Sequence, residues 1–353
     1  MSNRNNNREA RIVGGMLGLE YDLHLTNSPP PFLNGNHLAL VNARSGVRIL
    51  IEVLKPSTVW MPAFLCDAVL AGVPDSTMVR FYGVTRDLRI GSVEWVENVS
   101  QGDLVLLIDY FGFPCDGSAC RAVQARGAWV LEDASHALLS SHVGRHANFI
   151  IYSPRKMLAV PDGGVLVIRN FDNWPVIELK PAPPAWVLKT IEALVLRREF
   201  DIHGGERYFF PLFQQIEAST PVGAYEMSGL TQLLLEHSFD YPAIAHARRQ
   251  NYQKLATILR HVAIFPDLHD NVVPLGFPIR IPCRDRVRRG LFLKDIYPPI
   301  HWSVPQQVPR DFADSYRLAE EIMTLVCDQR YGISDMERVA EIVTHESMLA
   351  ARG

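Results

Sequence analysis

Cysteine is scarce in this chain: five residues in 353, an odd number at irregular spacing. That excludes a disulfide framework. Cys115 and Cys120 lack the close spacing of zinc ligands, so small buried thiols are the simpler reading and no metal site is expected. Net charge is nearly absent too, at −3, so neither nucleic acid nor an anionic membrane is expected as a partner. Long apolar runs are missing. The stretch "IVGGMLGLE" after the polar "MSNRNNNREA" is too short and too glycine-rich for a signal peptide or a membrane span. These absences point to a reducing, cytoplasmic protein, with residues 1–10 read as a disordered tail. What is present is an ordinary globular balance, 48% apolar and 21% charged, enough to bury a core around an internal site.

From residue 37 onward, short apolar runs alternate with amphipathic stretches of helix length. "HLALV" (37–41), "TVWM" (58–61), "TMVRF" (77–81), "DLVLLID" (103–109), "AWVLED" (128–133), "NFIIY" (148–152) and "GVLVI" (164–168) read as strands. Helices are expected at 45–54, opened by Ser45 as N-cap, at "LCDAVLAGV" and at "SACRAVQARG". Continuously apolar strands separated by helices predict an α/β fold with a mostly parallel sheet covered on both faces. After residue 170 the proline-rich "NWPVIELKPAPPAWV" reads as irregular, 185–200 as helix and "DIHGGERYFFP" as loop. Further helices are expected in "YEMSGLTQLLLEHS", "AIAHARRQNYQKLATILRHV" and "DMERVAEIVTHESMLA". We place a boundary near 240, giving a large α/β domain (1–240) and a smaller C-terminal α+β domain (241–353).

In a parallel sheet the ligand crevice lies beyond the carboxyl ends of the strands. Asp133 ends a strand there; taken alone, it reads more readily as a helix cap than as a catalytic group. Lys156 alone would be an ordinary surface lysine. In "IIYSPRKMLAVPDGGVLVI", however, it stands between two buried-type strands, three residues after Ser153 and just before Gly163 and Gly164. A nucleophilic amine, a strand-end carboxylate and donors for a phosphate are what pyridoxal phosphate requires. Ser45 and Gly46 open a helix whose first N–H groups can receive a phosphate.

The ordered segments "ARSG", "MPAFLC", "IDYFGFPCD", "LEDASHAL" and "IYSPRK…PDGG" resemble the DegT/DnrJ/EryC1/StrS family of sugar aminotransferases. The likeness runs on through "YEMSGLTQLLLEH" and "IYPPIHW" to the C-terminal helix. It implies a fold-type-I enzyme dependent on pyridoxal phosphate and working as a homodimer. The reaction implied is transamination of a keto-sugar, nucleotide-linked, with an amino-acid donor such as glutamate. On that likeness Lys156 is the Schiff-base lysine and Asp133 the partner of the pyridine nitrogen. Ser45, Gly46 and Ser153 hold the phosphate, and His136 stands where the family has a glutamine near the phenolic oxygen. Phe64 is the nearest aromatic to stack on the ring, and is equally a core phenylalanine. Arg197, Arg198 and His203 are candidates for a nucleotide diphosphate, against an exposed helix face. His301 and Trp302 are candidates facing the site, against simple packing. The chain departs from the family in its short serine-to-lysine spacing and in "VGAYEM", where Ala224 and Glu226 replace an asparagine and an arginine. Two other readings are a sugar dehydratase, against which Lys156 argues because such relatives carry histidine there, and a non-catalytic sugar-nucleotide binder.

Overall fold

The computed structural model describes residues 11–20, 29–33, 35–169 and 171–351; the expected N-terminal tail at 1–10 lies outside them. Seven strands make the central sheet: β1 (His37–Leu40), β2 (Thr58–Pro62), β3 (Met78–Tyr82), β4 (Leu104–Ile108), β5 (Trp129–Asp133), β6 (Phe149–Tyr152) and β7 (Gly164–Ile168). Their spatial order is β1-β7-β6-β5-β4-β2-β3. Only β7 runs against the others; β6 with β5, β5 with β4, and β4 and β3 with β2 pair in parallel. Every residue of β2, β4 and β7 is buried, as strands covered on both faces must be. β3 lies at the edge and leaves Met78 and Arg80 exposed.

The register brings the strand ends to one rim. Ile108 stands opposite Asp133, Asp133 opposite Ile151, and Leu40 opposite Gly164. Helix α1 (Ala43–Leu54) starts two residues earlier than the sequence reading: its cap is Asn42, whose side chain accepts the Ser45 N–H at 2.9 Å. Ser45 therefore lies inside the first turn, fully buried. Two glycines set how closely this helix docks. A Cβ on Gly46 would stand 2.4 Å from Ile151 Cδ1, and one on Gly164 would stand 2.1 Å from the Asn42 carbonyl carbon. Gly164 thus admits the start of α1.

Beyond α2 (Gly117–Ala125), the helix expected at "LCDAVLAGV" is a single turn, Asp67–Leu70. Its chain is stopped at Gly72, which packs against the Arg44 carbonyl, and by Pro74. Helices α3 (Pro184–His203) and α4 (Phe209–Ala218) form a hairpin. The loop predicted from Asp201 shrinks to 204–208, where Gly204 and Gly205 adopt positive φ. Helices α5 (Gly229–His237) and α6 (Tyr241–Leu259) follow, then β8 (Phe277–Arg280), α7 (Arg284–Phe292), α8 (Ala313–Glu321), β9 (Ile322–Leu325) and α9 (Ile333–Ala351). β8 and β9 pair antiparallel, and α6 and α9 pack together. No helix among the described residues is long and apolar enough to cross a membrane.

Candidate active site

A cavity of about 900 Å³ opens at the carboxyl rim of the sheet. Asp133, Ser153, Lys156, Arg197, His301 and Trp302 all line it. The sheet topology accounts for the first three. Asp133 is the last residue of β5, Ser153 follows β6, and Lys156 ends the tight turn Pro154–Lys156 that leaves the rim before β7 returns. Lys156 is exposed into this space, while Asp133 is only 6% exposed. The Asp133 Oδ1 accepts the Ser135 N–H at 2.9 Å, which fixes the carboxylate. The lysine loop is clamped from behind. Its next carbonyl, on Met157, accepts from Arg248 Nη2 at 3.2 Å and from Gln329 Nε2 at 3.0 Å. Arg248 is itself buried on α6 and also donates to the Pro274 and Leu275 carbonyls.

His136 lies just behind the wall. Its ring sits 5.2 Å from that of Trp302 and 5.7 Å from that of His301. Burial, then the nearby Lys156, push both imidazoles down, His301 to about 3, so both are neutral near pH 7. The Phe111 N–H donates to His136 Nδ1 at 3.2 Å, a direction set by the left-handed backbone of Phe111 (φ 57°). A neutral imidazole that accepts at Nδ1 carries its proton on Nε2. That Nε2 is buried and has no hydrogen-bond partner. His301 Nδ1 lies 2.9 Å from Thr324 Oγ1.

Other expected residues fall elsewhere. Phe64 is fully buried, 5.7 Å from the Trp302 ring, and does not line the cavity. Ser45 turns its hydroxyl to the Gly223 N–H at 3.2 Å, and Gly46 is packed on Ile151, so neither lines it. Ala43 and Arg44, the first two residues of α1, stand at the wall instead. Arg197 is committed to Asp201 and to the Gly14 carbonyl. Arg198 and His203 are not among the lining residues; His203 faces solvent near Glu199. Ala224 and Glu226 take up backbone pairing with Lys180, and Glu226 also bridges Leu40 at the edge of β1.

The sequence reading missed Arg44, Arg155, Glu217, Arg248 and the segment 12–17, which all line or brace this cavity. Only Arg44 and Arg155 carried a local signal, their places beside Ser45 and Lys156. The remainder arrive from distant chain segments.

The donors present fit a phosphorylated pyridine cofactor: an accessible amine, a fixed carboxylate and helix amides around one space, with an orphaned imidazole N–H just behind its wall. Comparison with known proteins agrees. The family model of the DegT/DnrJ/EryC1/StrS aminotransferase family matches residues 93–344, more than two thirds of the chain. The Streptococcus pneumoniae protein Spr1654 in its apo form superposes with a TM-score of 0.67 at 13% identity, over 96% of this chain and 93% of that one. It is also known in forms carrying pyridoxal and pyridoxamine phosphate. Helicobacter pylori PseC, an aminotransferase of pseudoaminic acid biosynthesis, gives 0.65 at 14% identity, over 97% of this chain and all of that one. DesI, solved with its TDP-sugar product, gives 0.62 at 20%, over 90% and 83%. The chain therefore belongs to the DegT/DnrJ/EryC1/StrS aminotransferase family and is an aminotransferase dependent on pyridoxal phosphate.

Proposed function

We propose that this aminotransferase moves an amino group from an amino acid such as glutamate to a keto-sugar carried on a nucleotide. The observation that carries the reading is the convergence of Lys156 and Asp133 on one large cavity at the sheet rim. That volume lies at the upper end of pockets that hold drug-sized ligands, leaving room for a substrate larger than an amino acid. The sugar chemistry of DesI and PseC supports the substrate class.

In this reading Lys156, exposed in the cavity, would hold the cofactor through its Nζ and would serve as the base and acid that moves the proton at the reacting carbon. When bound, the cofactor would supply an electron-accepting ring and an exocyclic carbon able to carry the amino group between the two half-reactions. Asp133, fixed by the Ser135 N–H, would hold the cofactor's ring nitrogen through its carboxylate. His136 offers its Nε2 proton as a fixed donor, because Phe111 occupies Nδ1. His301 and His136 stay neutral beside Lys156, so neither repels the ammonium form nor competes for its proton. The residues at the start of α1 that line the cavity, with Ser153, would hold the phosphate.

The chain is proposed to divide near residue 240 and to act in the cytoplasm as a homodimer. Exposed apolar side chains on and beside the α3–α4 hairpin, Leu188, Tyr208 and Phe210 among them, support a partner surface there. The test is the visible spectrum of the purified protein. The lysine-linked cofactor band is expected, it should vanish in Lys156→Ala, and glutamate should convert it to the pyridoxamine form in the wild type. A spectrum unmoved by Lys156→Ala would remove the site assignment; one unmoved by glutamate would leave the non-catalytic reading.

A further inference from the structure

The cavity wall near the start of α1 holds two cations to which the motifs assigned no role. Arg44 is the second residue of α1 and Arg155 immediately precedes Lys156; both line the cavity. Their guanidiniums converge on one carboxylate, Glu217 of α4. Arg44 Nη2 stands 3.3 Å from Oε2 and Arg155 Nη2 2.8 Å from Oε1. Glu217 is also a lining residue, and its segment is tied to the start of α1 through Asn42 Nδ2 to the Pro221 carbonyl at 2.7 Å. Burial alone would raise the Glu217 carboxyl, yet Arg155 and then Arg44 hold it below its usual range.

A carboxylate spanning two guanidiniums gives one oxygen to each and cancels one of two positive charges. A phosphate dianion has three terminal oxygens and twice the charge, so it can satisfy both guanidiniums and the helix amides together. Resting on the cofactor reading above, we infer that Arg44 and Arg155 grip the cofactor's phosphate by charge, and that Glu217 is an internal counter-ion which the phosphate displaces. Phosphate affinity is then the difference between two anions competing for one pair of cations. The wild type holds its cofactor less tightly than its two arginines allow.

The experiment compares equilibrium binding of pyridoxamine 5′-phosphate and of pyridoxamine to the cofactor-free protein, by ligand fluorescence, at two salt concentrations. Glu217→Gln, nearly isosteric and uncharged, is expected to tighten the phosphorylated ligand about tenfold and leave pyridoxamine unchanged, the scale of one lost charge-assisted competitor. Arg44→Met and Arg155→Met should each weaken the phosphorylated ligand about tenfold and flatten its salt dependence, with unaltered melting temperature confirming folding. If Glu217→Gln weakens that ligand or leaves it unmoved, Glu217 orients the arginines and the counter-ion assignment falls. If the wild type binds neither compound, the cofactor reading falls with it, an outcome distinct from a wild type that binds but ignores the Glu217 change.

Discussion

Glu132 and Asp133 are consecutive carboxylates on one strand, and they live in opposite worlds. Successive side chains on a strand face opposite sides of the sheet. Asp133 lines the cavity and is steadied by one amide. Glu132 faces a buried cluster: its Oε2 accepts the Gly144 N–H at 2.8 Å, and its carboxyl, that of Asp109 and the Cys115 thiol have atoms within 4.8 Å of one another. Burial, then the Asp109 carboxylate, push Glu132 up to about 10, so it stays protonated near pH 7. His142, with Nδ1 3.2 Å from the Asn271 carbonyl, brings its Nε2 to 3.3 Å from Asp109. The lesson is that residue type does not assign a role here. One carboxyl lines the cavity; the other is a neutral brick on the opposite side of the strand.

The sharpest way to break this contrast is to neutralise each partner in turn. Asp133→Asn should lower kcat at least about a hundredfold, the scale of a lost electrostatic partner in a reaction site. Glu132→Gln should leave kcat within about twofold, and steady-state turnover of both variants decides the matter. A weaker effect is expected on stability when the neutral brick is removed: Glu132→Ala leaves the Gly144 N–H without its partner and should destabilise by about 2–3 kcal/mol, read by denaturant titration. Gly164→Ala tests the docking of α1 on the sheet, since its Cβ would meet the Asn42 backbone. Overpacking of this kind costs about 1–3 kcal/mol, and loosened cofactor binding should accompany it.

The contrast extends to pH dependence, where the two sides should differ in sign. Glu132 near 10 against an ordinary 4.5 means that the folded protein keeps a proton the unfolded chain has lost. Its contribution is complete below about pH 4.5 and fades as pH rises towards 10. His301, on the cavity side, is held down at about 3 against an ordinary 6.5. Its contribution is present above about pH 6.5 and fades as pH falls towards 3. Glu132→Gln should flatten the alkaline limb of a stability–pH curve, and His301→Gln the acid limb. A variant that flattened the wrong limb would reverse the assignment.

The sheet was legible because burial on both faces writes itself as apolar runs: "LVLLI" and "GVLVI" sit within a residue of their predicted bounds. Asp133, Ser153 and Lys156 were legible because strand ends deliver side chains to a known rim. The start of α1 was misjudged by two residues, since Asn42 and Ser45 are both good caps and only docking against Gly164 chooses between them. Arg248 looked like one more cation in "ARRQNYQK", yet tertiary packing buries it and gives it four oxygen acceptors.

By itself, then, the sequence determined a parallel α/β sheet and the lysine and carboxylate at its rim, because periodicity and strand ends are local properties of the chain. Tertiary structure alone decided which charges meet across long separations. Glu217 reaches Arg44 and Arg155, Arg248 reaches the lysine loop, and Glu132 is sealed away from Asp133. Coulomb energies and burial depend on distance in space, and no local spacing encodes that.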